Sequence, residues 1–188
     1  MQAIDALTTR VSAGGLVDPA PDDAALKQIL AAAVAAPDHG RLKPWRFICI
    51  RGAARVAFGE LLARTLKARE PAVADGELER EKAKPMRAPL IVVVAAKRLD
   101  NPKIPQIEQV LAAGAAAQNM LLAAHALGFG GNWKTGAPAY DPTVKQALGL
   151  AAEDSIVGFL YLGSLSRPLA PRPALDPAAY TSEWTGIR

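Results

Sequence analysis

The long Ala-rich stretch from about Gln106 to Leu127 limits what this chain can become. It holds no proline, Gly128 stands ready to stop it, and its apolar residues recur at helical spacing. Ile107, Val110, Leu111, Gly114, Gln118, Leu121 and Leu122 fall on one stripe. The other faces are Ala and Gly, so neighbouring elements can come close all round. The pattern predicts a central helix with the rest of the chain packed about it. Gln118, Asn119 and His125 interrupt the stretch, and alanine is only weakly lipophilic, so it reads as a buried core helix rather than a membrane span.

The segments on either side are shorter. A helix is expected over Ala3 to about Thr9. A second starts at Asp22 or Asp23, carries Leu26, Ile29, Leu30, Ala33 and Val34 inward, and ends by Pro37. Phe47 to Ile50 lacks alternation and predicts a strand buried on both faces. Ala54 to Leu66 predicts a helix with Val56, Leu61 and Leu62 inside, and Lys67 to Arg87 a charged, exposed, partly helical excursion with little core. Pro89 opens an apolar strand, Leu90 to Ala95; Asn101 to Pro105 is a loop. Asp141-Pro142 caps a short helix ending at Gly149, and Ile156 to Leu162 is a third strand. From Ser164 the prolines at 168, 171, 173 and 177 forbid a packed helix, yet Tyr180 and Trp184 should be buried somewhere. A chain of 188 residues fits one domain, 1–188. Few strands and several helices in mixed order make it α+β. The alternation also allows a doubly wound sheet, but Arg51-Gly52-Ala53-Ala54 is not that fold's glycine-rich turn.

Several functions are disfavoured. The net charge of +4 allows nucleic-acid binding, but only 5% of residues are aromatic and no basic run is interleaved with them. The two histidines, His39 and His125, are far apart, so no metal-ligand spacing exists. There is no Gly-x-Ser-x-Gly elbow and no phosphate-binding Walker loop. Cys49, between Ile48 and Ile50, reads as an inert core thiol; as the lone cysteine it suits a reducing compartment, and Met1 to Asp5 lacks signal-peptide character, so a cytoplasmic protein is expected. A chain so short of nucleophiles and acid-base groups must borrow reactivity if it is an enzyme, and an organic cofactor is the natural source.

Three segments could hold one. Arg10-Val11-Ser12 offers a guanidinium and a hydroxyl for a phosphate, or is simply a surface arginine and a helix-end serine. Pro37-Asp38-His39-Gly40-Arg41-Leu42-Lys43-Pro44-Trp45 is a polar loop between rigid elements. Phe129-Gly130-Gly131-Asn132-Trp133-Lys134-Thr135 lets backbone approach a flat ring and adds a cation, or is only a glycine-capped turn. His125 reads as a partly buried helical residue.

Together these segments resemble the FMN-dependent nitroreductase superfamily, in particular its short, YdjA-like branch. The similarity rests on Arg10-x-Ser12, Ala36-Pro37-Asp38-His39, Pro44-Trp45, Arg87-Ala88-Pro89-Leu90-Ile91, Gly128-Phe129-Gly130-Gly131 with Trp133, and Ile156 to Gly163. It implies a central mixed or antiparallel sheet flanked by helices, in an interlocked homodimer whose exchanged tail, 164–188, wraps the partner. It implies FMN at the subunit interface and NAD(P)H as reductant. By resemblance, Arg10 and Ser12, with Val11 between them, form the phosphate-binding segment, Trp133, Lys134 and Thr135 contact the cofactor after the long helix, Ala35 stands at a flavin-contacting position, and His39 meets the flavin of the other subunit. Val11 stands where the branch commonly has a second arginine and Ala35 where it can have one, and Arg41 or Lys43 are the candidates to restore that charge. No metal and no membrane partner is implied. The expected activity is NAD(P)H-dependent reduction of a nitroaromatic, quinone or similar acceptor by ping-pong turnover. The alternatives are a flavin-binding protein without turnover (a sensor, carrier or partner-binding module) and a related flavin chemistry.

Overall fold

A computed structural model describes residues 1–186; the last two positions of the expected 164–188 tail lie outside the described residues. The helices are α1 (Ala3–Thr9), α2 (Asp23–Val34), α3 (Ala54–Arg69), α4 (Asp75–Ala83), α5 (Gln106–Ala126) and α6 (Pro142–Ala147). The strands are β1 (Leu16–Val17), β2 (Trp45–Arg51), β3 (Leu90–Ala96), β4 (Gly130–Lys134) and β5 (Ser155–Leu165). They form one sheet in the order β1-β5-β3-β2, with β4 also pairing β5, and every strand pair is antiparallel. The α+β expectation holds, with the sheet antiparallel.

The strand β3 is apolar at every position because both of its faces are covered. Leu90, Val92 and Val94 pack with α2 and α5, while Ile91 and Val93 pack with α3 and α6. Asp22 caps α2 by accepting from the Ala25 N–H at 2.8 Å, and Asp141 caps α6 through the Thr143 and Val144 N–H groups. Gly128 ends α5 with φ +88°, a left-handed value that a glycine reaches without strain.

Helix α5 meets the expectation only in part: Leu121 is buried as expected, while Ile107 and Leu111 are not. Its buried face is the small one: Ala112, Ala113, Ala116, Ala117 and Ala124, with Met120 and Leu121. Side chains this short let β3 and α2 approach closely. Ile107 and Leu111, on the expected core stripe, are 60% and 64% exposed. In α3, Leu61 and Leu62 point inward as expected, but Phe58 takes the core place and Val56 is exposed. The strand β2 lies at the sheet edge, so it is not buried on both faces: Arg46, Cys49 and Arg51 are exposed. Cys49 is therefore not a core thiol; partial desolvation nonetheless pushes its pKa up, against the opposing pull of Arg51, so it is not activated. Tyr180 and Trp184 are 79% and 83% exposed in the single chain.

Two strands were not expected. Gly130 and Gly131 read as a turn, yet they open β4. A Cβ on Gly130 would lie 2.4 Å from Leu165 Cδ2, and one on Gly131 2.7 Å from Leu121 Cδ2, so glycine is needed for close approach. The charged excursion docks more firmly than its composition suggests. Gly59 of α3 accepts the α4 backbone so closely that a Cβ would lie 2.3 Å from the Lys82 carbonyl oxygen. Val73, Glu81 and Pro85 are buried beneath it. Among the described residues, no helix is long and apolar enough to cross a membrane.

Candidate functional site

Residues 10–14 leave α1 and run beside β4. Ser12 forms a parallel bridge with Gly131, the Ala13 N–H donates to the Gly131 carbonyl at 3.0 Å, and the Asn132 side-chain amide donates to the Ala13 carbonyl at 2.9 Å. This seam joins the first and third sequence candidates, and a cavity lies at each end of it.

The larger cavity, about 420 Å³, is reached by Lys134 and Thr135. Phe58, Leu62 and Phe159 give it apolar walls, while Arg69, Lys84, Arg87 and Tyr161 add polar groups. Arg69 donates to Asp141 at 2.9 Å and Lys84 pairs with the buried Glu81 carboxylate. Burial pushes the Tyr161 hydroxyl up to about 12, with Arg87 opposing and Glu81 reinforcing, so it stays a neutral donor at physiological pH.

The smaller cavity, about 290 Å³, holds Arg10 and Val11 with Thr9, His125, Gly131 and Pro171. The Thr9 hydroxyl and His125 Nε2 are hydrogen-bonded at 2.9 Å. Arg10 Nη1 is buried with no hydrogen-bond partner, alone in this among side-chain polar atoms of the described residues. Burial first and the charge of Arg172 second lower the Arg10 pKa, which sets two guanidiniums near one another. A partly buried guanidinium with one nitrogen unpaired near a like charge is favoured by an arriving anion. Arg172 escaped sequence reasoning; its only signal was an arginine between two prolines, and the tail that carries it folds back beside α1.

The remaining predicted residues lie elsewhere. Ser12 is exposed on the seam. Trp133 alternates to the opposite face of β4, where its Nε1–H donates to the Val157 carbonyl at 3.1 Å. A Cβ on Gly158 would come within 2.1 Å of that nitrogen, so the indole is fixed against β5 and lines neither cavity. Ala35 is the exposed C-cap of α2, one residue past Val34. His39 is exposed in a short 3-10 turn, His39–Arg41, and its Nδ1 is hydrogen-bonded to Glu108 in the first turn of α5. Arg41 and Lys43 are exposed and reach neither cavity. Glu108 and His125 mark the two ends of α5, so at about 1.5 Å per residue His39 and the Arg10 cavity are roughly 25 Å apart. One chain therefore assembles the Arg10 and Lys134 groups, but not the His39 group with them.

The chain belongs to the nitroreductase family, whose model matches residues 10–164. It is 42% identical over 168 residues to a protein of Escherichia coli K12 named "Putative NAD(P)H nitroreductase YdjA", covering 87% of this chain and 88% of that one. A nitroreductase-like protein from Bacillus cereus superposes with a TM-score of 0.80 at 23% identity, covering 99% and 97% of the two chains. A protein from Desulfovibrio desulfuricans, solved in complex with FMN, superposes with a TM-score of 0.71 at 28% identity, covering 100% and 99%.

Proposed function

We propose that this chain is an FMN-dependent oxidoreductase that moves electrons from NAD(P)H to a nitroaromatic, quinone or similar acceptor by ping-pong turnover. The observation that carries this reading is the buried, unpartnered Arg10 Nη1 beside a second arginine. That pair fits a phosphate, and the larger cavity along the seam, with its apolar walls and cationic groups, fits a flavin ring. Arg10 and Arg172 would hold the phosphate, with Ser12 as a hydroxyl donor. Lys134 and Thr135 would contact the remainder. When bound, FMN supplies the two-electron chemistry that the side chains lack. The apolar walls of Phe58, Leu62 and Phe159 exclude water. Arg87 and Lys134 would add positive charge to the lining, Lys84 being paired with Glu81, and Tyr161 would offer a neutral O–H. The names and FMN complex of the relatives support the same chemistry.

The reading includes a homodimer with FMN at the interface, a tail from 164 onward laid over the partner, and a cytoplasmic location. Ile107 and Leu111 on α5, with Tyr180 and Trp184 on the tail, are large apolar groups left uncovered by one chain. The separation of His39 from Arg10 is reconciled if each flavin takes Arg10 from one subunit and His39, beside Ala35, from the other.

The test is titration of apoprotein with FMN, followed by steady-state kinetics with an acceptor. Saturable binding at micromolar protein and parallel double-reciprocal plots are expected. Absence of binding overturns the reading. Binding without NAD(P)H consumption would instead favour a flavin carrier or sensor.

A further inference from the structure

The loop before β2 is held in an unusual backbone conformation. Gly40, Arg41 and Lys43 have φ values of +69°, +56° and +51°. Left-handed values at two non-glycine residues carry strain, which persists only where the surroundings enforce it. Three contacts do so. The Asp38 carboxylate accepts from the Lys43 N–H at 2.7 Å. Ile104 seats on Gly40, where a Cβ would lie 2.2 Å from Ile104 Cδ1. Glu108 takes the Nδ1 side of His39. The loop is thus tied at two points to the segment that opens α5, by Ile104 and by Glu108, and its one imidazole is held by one edge.

Glu108 sits in the first turn of α5, where the free N–H groups favour a carboxylate. A carboxylate only accepts, so the His39 nitrogen facing it must carry the proton. We propose that Glu108 is a positioning residue that fixes His39 as the Nδ1–H tautomer, presenting the Nε2 lone pair outward as the acceptor for a ring N–H of the partner subunit's flavin. This rests on the reading that His39 meets the flavin across the interface. The fixed tautomer is the opposite of the Nε2–H form that free imidazole favours. The other charged groups of the loop are Asp38, which is occupied by the Lys43 N–H, and the exposed Arg41 and Lys43. Among the described hydrogen bonds and ion pairs, only Glu108 engages the imidazole.

Two measurements on the full chain test this. The first is ¹⁵N NMR of His39 without flavin, in alkaline buffer. The native chain and E108Q, which keeps an accepting oxygen, should show Nδ1–H, whereas E108A should shift toward Nε2–H. An unchanged tautomer in E108A overturns the proposal, whether or not FMN binds. The second is the midpoint potential of bound FMN. The contact weights the oxidised and reduced rings differently, so H39A and E108A should both shift the potential in the same direction, the double variant no further, and E108Q little. A shift in E108Q equal to that in E108A would assign the effect to charge alone and overturn the tautomer role. A silent H39A would show that His39 does not meet the flavin and overturn the proposal while the cofactor reading stands. Failure of any FMN to bind would sink the cofactor reading, leaving the tautomer measurement to decide the role of Glu108.

Discussion

Arg10 brings a charge into a cavity that already feels Arg172, with no hydrogen-bond partner for its buried nitrogen. An anion would satisfy that arrangement. Arg10→Ala should therefore weaken FMN by about ten- to a hundredfold, or ~1.5–3 kcal/mol, the range for a charge-assisted contact. Riboflavin, which has no phosphate, should lose far less. Equilibrium titration of both ligands decides it, and equal losses would mean that Arg10 does not touch phosphate. The Arg-x-Ser pattern was legible because its two residues are neighbours in sequence. Arg172 was not, because its proximity exists only once the tail folds back across α1. His39 was legible as a polar group in a sharp loop, whereas its pairing with Glu108 depends on how that loop meets the start of α5.

At the scale of elements, close backbone approach governs what composition could and could not foretell. The strand β3 was readable because a run of apolar residues buried on both faces has no other role of that length. The strand β4 was not, because its two glycines serve packing against Leu165 and Leu121 rather than a turn. Helix α5 spans the expected residues, but only part of its expected stripe faces inward. Ile107 and Leu111 take the open side, since α2 and β3 press against the alanines. The same logic makes Gly59 a sensitive point, as a Cβ there meets the Lys82 carbonyl at 2.3 Å. Backbone cannot give way as a flexible side chain can. Gly59→Ala should separate α3 from α4 and cost about 1–3 kcal/mol, as overpacking does. Urea unfolding should show a lower midpoint at an unchanged slope. Because Phe58 and Leu62 beside it wall the larger cavity, flavin affinity should fall as well.

The whole molecule presents more apolar surface than one chain covers. Ile107 and Leu111 lie on α5, and Tyr180 and Trp184 lie on a tail with only a short turn, Pro177–Tyr180, of its own. An interface that covers them and completes the flavin site should bury more than about 2,000 Å², the range of obligate dimers. Truncation after Pro173 keeps Arg172 but removes the aromatic tail. It should lower both dimer stability and FMN occupancy, measured by sedimentation equilibrium and flavin absorbance on the same samples. A full-length monomer that retains stoichiometric FMN would show that one chain builds the site alone.

The tail also gives the protein an optical label. The chain has three tryptophans. Trp45 is buried and Trp133 is pinned to the Val157 carbonyl, so neither should change its surroundings on association. Trp184, at 83% exposure, is the one open to solvent in a single chain. Its emission should be red-shifted in dilute monomer, then move to the blue and be quenched by flavin as the tail finds an apolar seat. A dilution series followed by fluorescence, with Trp184→Phe as the silent control, would therefore read the association constant without any added dye. An emission maximum unchanged across the transition would show that the tail stays in water when the subunits meet.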